Sequence, residues 1–158
     1  MGSGDLVFDL GAGYGALTGP LVRAGARVIA IELDPGLAGR LRRRFSREPL
    51  VGVVEADLRA VPLPRRPFHV VASPPFALTT MLCRRLLGDR NLRLTGAELI
   101  VESGAAQWLS SRQPRDRETA QWSARYRDAP GAPGARGQFL AAAAVRCRLP
   151  ADQAQGLS

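Results

Sequence analysis

The segment "FDLGAGYGAL", residues 8–17, places glycines at 11, 13 and 15 directly after an apolar run. Glycines there permit a tight strand-to-helix turn and let a ligand approach bare backbone at a helix N-terminus. Gly11, Gly13 and Ala16 satisfy the loose G-x-G-x-x-A dinucleotide fingerprint, and Glu32 stands where a ribose-binding acid belongs. Asp9 separates the candidate ligands. Its carboxylate, two residues before Gly11, repels a pyrophosphate but attracts the ammonium and sulfonium of S-adenosylmethionine. The competing role for Asp9 is a partner for a nearby helix terminus or arginine. Asp57, in "VVEADL", adds an acid at the carboxyl edge of a third strand, where open parallel sheets bind ligands. It either accepts from a ligand amine or caps the short segment that follows. Last comes "VVASPPFALTT", residues 70–80. An apolar run stops at Ser73, Pro74 and Pro75 follow, and Phe76 is an aromatic that a plain turn does not need.

The elements that must position these residues are legible in the hydrophobic pattern. "DLVFDL" (5–10) is a short apolar run ending in the glycine turn, as a buried parallel strand should. "ALTGPLVRAG" (16–25) carries Leu17, Leu21 and Val22 at helical spacing and stops at Gly25. "ARVIAIEL" (26–33) is the next strand, and Asp34-Pro35 supplies an N-cap and a first-turn proline for a helix through "GLAGRLRRRF". Strands are expected at "VGVVEA" (51–56), "FHVVAS" (68–73) and "AELIVE" (97–102), with a helix at "TTMLCRRLL" (79–87). Alternating strands and helices imply a parallel sheet wrapped on both faces. Beyond residue 103, "GAAQWLSSR" reads as helix, "TAQWSARYR" alternates like a strand, "DAPGAPGARG" is a Pro/Gly-rich loop and "GQFLAAAAVRCRL" is the last strand.

At 158 residues, 46% hydrophobic and 23% charged, the chain has the length and balance of one globular domain. No apolar stretch approaches the roughly 18 residues of a membrane span, and no charged-then-apolar leader opens it. The expectation is a soluble cytoplasmic protein without membrane partners. Cys83 and Cys147 stand apart with no C-x-x-C, and His69 is the single histidine, so neither a disulfide framework nor a metal site is supported. Net charge is +8, and all 22 basic residues are arginine. Arginine forks suit phosphate, which fits a nucleic-acid partner; alternatively arginine merely fills solvated faces of a chain with a biased composition.

"DLGAGYGALT", "AIELDP", "VVEADL" and "ASPPF", in this order and at these separations, resemble the ribosomal RNA adenine N6-methyltransferases, most of all the macrolide-resistance (Erm) branch. The resemblance covers roughly residues 5–110, and "AAAAVRCRL" is similar to the family's last strand. It implies an α/β fold of the Rossmann-like class I S-adenosylmethionine-dependent methyltransferase type, with a mostly parallel seven-stranded sheet and helices on both faces. It assigns the cofactor to Asp9, Gly11, Ala12, Gly13, Glu32, Leu33, Asp57, Leu58 and Ser73, with Asp57 accepting from the adenine amine of the cofactor. It implies methyl transfer to N6 of an adenine in 23S ribosomal RNA, naked or in a pre-ribosomal particle, by a monomer. The outcome is macrolide-lincosamide-streptogramin resistance.

The family's fourth motif is Asn-x-Pro followed by Phe or Tyr, and it holds the target adenine. An adenine amine is a poor nucleophile because its lone pair is delocalised into the ring. Two acceptors on its hydrogens pull the nitrogen toward a tetrahedral shape and aim it at the methyl group. Carried across, Ser73 and the Pro74 carbonyl are those acceptors, Pro75 stiffens the turn and Phe76 stacks on the extruded base. Ser73 stands where the family has Asn; its hydroxyl can still accept, directly or through a water, but polarises less. The second expectation is therefore an RNA-binding protein of the same fold with weak or no transfer. Two further departures are the short stretch before the first strand and the lack of the family's small C-terminal helical domain. These leave a single catalytic domain over 1–158, with RNA contacts expected from Arg42, Arg43, Arg44, Arg84 and Arg85.

Overall fold

The structure is a computed structural model that describes residues 2–102, 117, 120, 127–130 and 142–148. The chain divides into two compact units, Met1–Ser73 and Pro74–Ser158.

In the first unit, strands β1 (Leu6–Leu10), β2 (Arg27–Glu32), β3 (Val51–Glu55) and β4 (Phe68–Ala72) pair in parallel in the order β3-β2-β1-β4. β1 is flanked on both sides, with Asp9 opposite Ala30 of β2 and Val71 of β4. That position explains its near-continuous apolar sequence: Val7, Phe8, Leu10 and even Asp9 are buried. β3 pairs only with β2 among the described residues, and it carries the exposed Val54 and Glu55. Helix α1 (Thr18–Arg23) follows the glycine turn, and Leu21 and Val22 of the helix, with its N-cap Leu17, pack onto Val7, Ala26, Val28 and Val71. Helix α2 (Pro35–Arg44) starts as the sequence predicts: the Asp34 side chain accepts from the Leu37 amide at 2.8 Å, and Pro35 takes the first turn. Its Leu41 joins Ala12 and Ala30 in a second cluster, with Phe45 and Val53 packed against it. Phe8 and Phe68 meet edge to face, their ring centroids 5.6 Å apart.

In the second unit, helix α3 (Phe76–Gly88) begins earlier than the apolar spacing predicts, immediately after its N-cap Pro75. Strand β5 (Leu94–Glu102) likewise starts ahead of "AELIVE". β5, β6 (Arg127–Pro130) and β7 (Ala142–Arg148) are antiparallel in the order β5-β7-β6. The expected last strand is therefore present. The Pro/Gly-rich loop reading is corrected at its start, where Asp128, Ala129 and Pro130 pair with Cys147, Arg146 and Val145. Ala120 is helical where the alternation predicts strand. The helix expected at 104–112 lies outside the described residues. No helix among the described residues is long and apolar enough to cross a membrane, and they contain no metal-holding cluster.

Candidate functional site

The first unit brings most of the sequence-predicted residues to the carboxyl ends of its parallel strands. Gly11, Gly13 and Gly15 all have positive φ (77°, 54° and 80°), so the chain turns through conformations that side chains resist. α1 begins only at Thr18, which leaves the turn itself, and not a helix N-terminus, beside the strand ends. The turn is strapped to β2. Gly11 and Ala12 both donate their amides to the Ile31 carbonyl at 2.9 Å, and Gly13 donates to Glu32 Oε2 at 2.8 Å. Three successive amides are thus spoken for, so this turn does not present the amide cradle that a pyrophosphate needs. That geometry disfavours the dinucleotide reading independently of the charge on Asp9.

Glu32 also accepts from the Asp34 amide through Oε1 at 2.9 Å. Each carboxylate oxygen keeps a second lone pair, so the half-buried Glu32 is fixed in place and retains capacity for two ribose hydroxyls. Leu58 lies beside Gly11, its Cδ2 3.7 Å from where a Cβ on that glycine would stand. Leu33, next to Glu32, is a large apolar side chain left 59% exposed, which suits a surface covered by a ring.

Asp9 is fully buried. Its Oδ2 accepts from Thr18 Oγ1 at 2.5 Å, whereas Oδ1 is buried with no partner among the described residues. Burial pushes its carboxyl up to about 6 against the pull of the Thr18 hydrogen bonds, and the Glu32 charge adds to the rise. The structure therefore realises part of the competing role for Asp9, a contact with the first residue of α1, and leaves one acceptor over. An orphaned buried acceptor next to the turn fits the ammonium of S-adenosylmethionine, and with the free capacity of Glu32 it makes the acceptor set of this unit compatible with that cofactor.

Asp57 closes a turn after β3. Its Oδ1 accepts from the Arg59 amide at 2.8 Å, its Oδ2 from Arg59 Nε at 2.7 Å, and its carbonyl from the Ala60 and Val61 amides. The Asp57 carboxylate raises the Arg59 guanidinium above its ordinary value. The capping role is thus built, and a ligand amine has to share the carboxylate with Arg59. Ser73 follows β4 and is exposed, while Pro74 is buried. Pro74 and Phe76 belong to the second unit, where the Pro75 carbonyl accepts from Leu78 N at 2.9 Å and Thr79 Oγ1 at 3.4 Å. Two groups stay outside the chemistry. His69 lies 3.7 Å from Asp5, and burial pushes the Cys83 thiol up to about 12, so it is unreactive.

Sequence reasoning missed four contacts: Thr18 on Asp9, Gly13 on Glu32, the Arg59 side chain on Asp57, and Arg44, whose Nη1 donates to the Tyr14 carbonyl. Only the hydroxyl at the start of α1 carried any signal in the sequence.

Residues 7–88 match the methyltransferase-domain family. The ribosomal RNA small subunit methyltransferase A of a Synechococcus strain is 33% identical over 147 residues, covering 91% of this chain and 48% of its own length. The mycinamicin-resistance protein MyrB of Micromonospora griseorubida is 46% identical over 84 residues, covering 53% of this chain and 26% of its own. Other relatives at 30% to 35% identity are rRNA adenine N-6-methyltransferases. Among solved structures, the 23S rRNA methyltransferase ErmE superposes with a TM-score of 0.79 at 23% identity, over 96% of this chain and 64% of that one. The fold is that of the class I S-adenosylmethionine-dependent methyltransferases. The chain spans about half or less of the length of the curated relatives it matches.

Proposed function

The chain belongs to the methyltransferase-domain family, with its sequence kinship among the ribosomal RNA adenine N6-methyltransferases, and on that premise we propose that it methylates N6 of an adenine in 23S ribosomal RNA. The observation that carries this reading is the glycine turn whose amides are held by Ile31 and Glu32, next to the buried, half-satisfied Asp9. That arrangement suits a cationic amino-acid end and a ribose, and it does not suit a pyrophosphate. S-adenosylmethionine supplies an electrophilic methyl group. Asp9 takes the ammonium, Glu32 takes the ribose hydroxyls, and Leu33 and Leu58 cover the adenine, with Asp57 shared between its amine and Arg59.

The RNA side rests on "SPPF". Ser73 and the Pro74 carbonyl accept the hydrogens of the target amine, and Phe76 stacks on the base. No side chain has to remove a proton before attack, because the amine becomes acidic only as its nitrogen gains the methyl group. That agrees with a lone histidine occupied by Asp5. The 23S assignment and reduced binding of macrolides, lincosamides and streptogramins follow the resemblance and the mycinamicin-resistance relative; the small-subunit relative makes 16S RNA the competing substrate. Ser73 in place of Asn favours a second reading, an RNA-binding protein with weak or no transfer. We further propose a monomer whose 158 residues act as one catalytic domain in the cytoplasm. Incubation with methyl-labelled cofactor and protein-free 23S or 16S transcripts separates these outcomes. Label in 23S supports the reading, label in 16S moves the substrate, and RNA binding without label selects the second reading.

A further inference from the structure

Tyr14 is the most exposed large hydrophobic side chain of the described residues, at 65%. It does not hang from a slack loop. Gly15, beside it, is seated against α2 so closely that a Cβ there would stand 2.8 Å from Phe45 Cε2 and 2.9 Å from Leu41 Cδ2. Arg44 fastens the Tyr14 carbonyl, and the Arg40 guanidinium lies over one face of the Tyr14 ring, 5.9 Å from its centre. The main chain is thus fixed, one face of the ring lies under a cation, and the side chain otherwise stays largely open to water. Around it, the last turn of α2 carries Arg42, Arg43 and Arg44, of which Arg42 is drawn to Glu55 at 3.5 Å. A fixed, solvent-facing aromatic bordered by guanidinium groups has the chemistry of a single-stranded nucleic-acid contact: a π-face for a base and forks for the flanking phosphates.

We propose that Tyr14, flanked by Arg40 and Arg44, is a stacking platform for an unpaired base of the RNA substrate other than the target adenine. The inference rests on the RNA-directed reading above and adds a specific contact on the cofactor turn. Stacking needs a flat ring but no hydroxyl, and it tolerates any base. Charge contributes separately through Arg40, which forms no ion pair with an acid among the described residues of this unit.

The test compares the parent with Tyr14→Phe, Tyr14→Leu and Arg40→Gln in anisotropy titrations. The probes are a protein-free 23S transcript and a single-stranded oligocytidylate of about 12 nucleotides, within the span one such surface covers. Tyr14→Leu should weaken both probes by roughly 5- to 160-fold, the range expected for one lost base stack. Tyr14→Phe should stay within about twofold of the parent, and Arg40→Gln should lower the salt slope by about 0.7, one single-strand phosphate contact. Cofactor affinity, read by calorimetry, reports folding and should hold in all three. Equal affinity of Tyr14→Leu and the parent for both probes overturns the platform even if methyl transfer proceeds. A loss confined to the 23S transcript overturns its base tolerance. A parent that binds neither RNA overturns both the platform and the RNA-directed reading, whereas the predicted losses in a protein without transfer activity uphold the platform and sink only the enzymatic reading.

Discussion

Asp9→Asn is the substitution whose outcome the structure specifies most fully. The carboxyl is buried, and its pKa rises from 3.8 to about 6 because burial disfavours the charged form. An acid with a raised folded-state pKa holds its proton longer in the folded chain than in the unfolded one. Folding stability is therefore highest below the unfolded value and falls as pH rises from about 4 to about 6. At 1.36 kcal/mol per pKa unit the buried charge costs ~3 kcal/mol above that window. An asparagine keeps an oxygen for Thr18 and carries no charge. Urea unfolding without cofactor should then find Asp9→Asn about 1 to 3 kcal/mol more stable than the parent at pH 7.5, with the difference gone near pH 3.5. Cofactor binding should run the other way. Loss of the charged acceptor should weaken S-adenosylmethionine by about 1.5 to 3 kcal/mol. The parent's affinity should tighten between about pH 5 and 7 as Asp9 ionises, while the variant's stays flat. A variant less stable than the parent at pH 7.5 refutes the burial argument; unchanged, pH-parallel cofactor affinity refutes the role of Asp9 in the site.

Glu32→Ala should raise the calorimetric dissociation constant for S-adenosylmethionine by the equivalent of about 1.5 to 3 kcal/mol, since the acceptor of two ribose hydroxyls is lost; a loss of NAD affinity in the variant instead would revive the dinucleotide reading. Gly15→Ala should lower unfolding free energy by about 1 to 3 kcal/mol, because φ is +80° and the added carbon meets Phe45 and Leu41. A thermal midpoint equal to the parent's would show that the turn is not seated on α2 as described. Ser73→Asn should raise single-turnover methyl transfer by roughly 5- to 30-fold with little change in RNA affinity, because a better-aimed acceptor acts on the pyramidal nitrogen of the transition state more than on the flat ground-state amine. A variant as slow as the parent removes Ser73 from the adenine clamp.

Local signals carried most of the first unit. Parallel strands in a buried sheet are short apolar runs, so β1, β2, β3 and β4 could be read within a residue or so. Asp34-Pro35 announced α2 because capping is a property of neighbouring residues. The second unit was read less well for the opposite reason. β6 runs through a Pro/Gly-rich segment because pairing with β7 outweighs local preference, and nothing local reports a partner strand. The same limit applies within the site. The residue types at Asp9, Glu32 and Asp57 pointed to ligands, but their protein partners Thr18, Gly13 and Arg59 were not read: the first two meet them only through the tertiary fold, and Arg59 does so through a side chain folding back two residues. Nothing in the sequence marks Tyr14, because its setting depends on Gly15 packing against Phe45 across the fold.

The most direct test of the central claim is the chemical identity of the product. A protein-free 23S transcript is incubated with the purified chain and methyl-labelled S-adenosylmethionine, then digested to nucleosides and separated by mass and retention. The account predicts label in N6-methylated adenosine, lost in Glu32→Ala at limiting cofactor and in Phe76→Ala. Label in any other nucleoside, or none under conditions where the chain binds both cofactor and RNA, contradicts it.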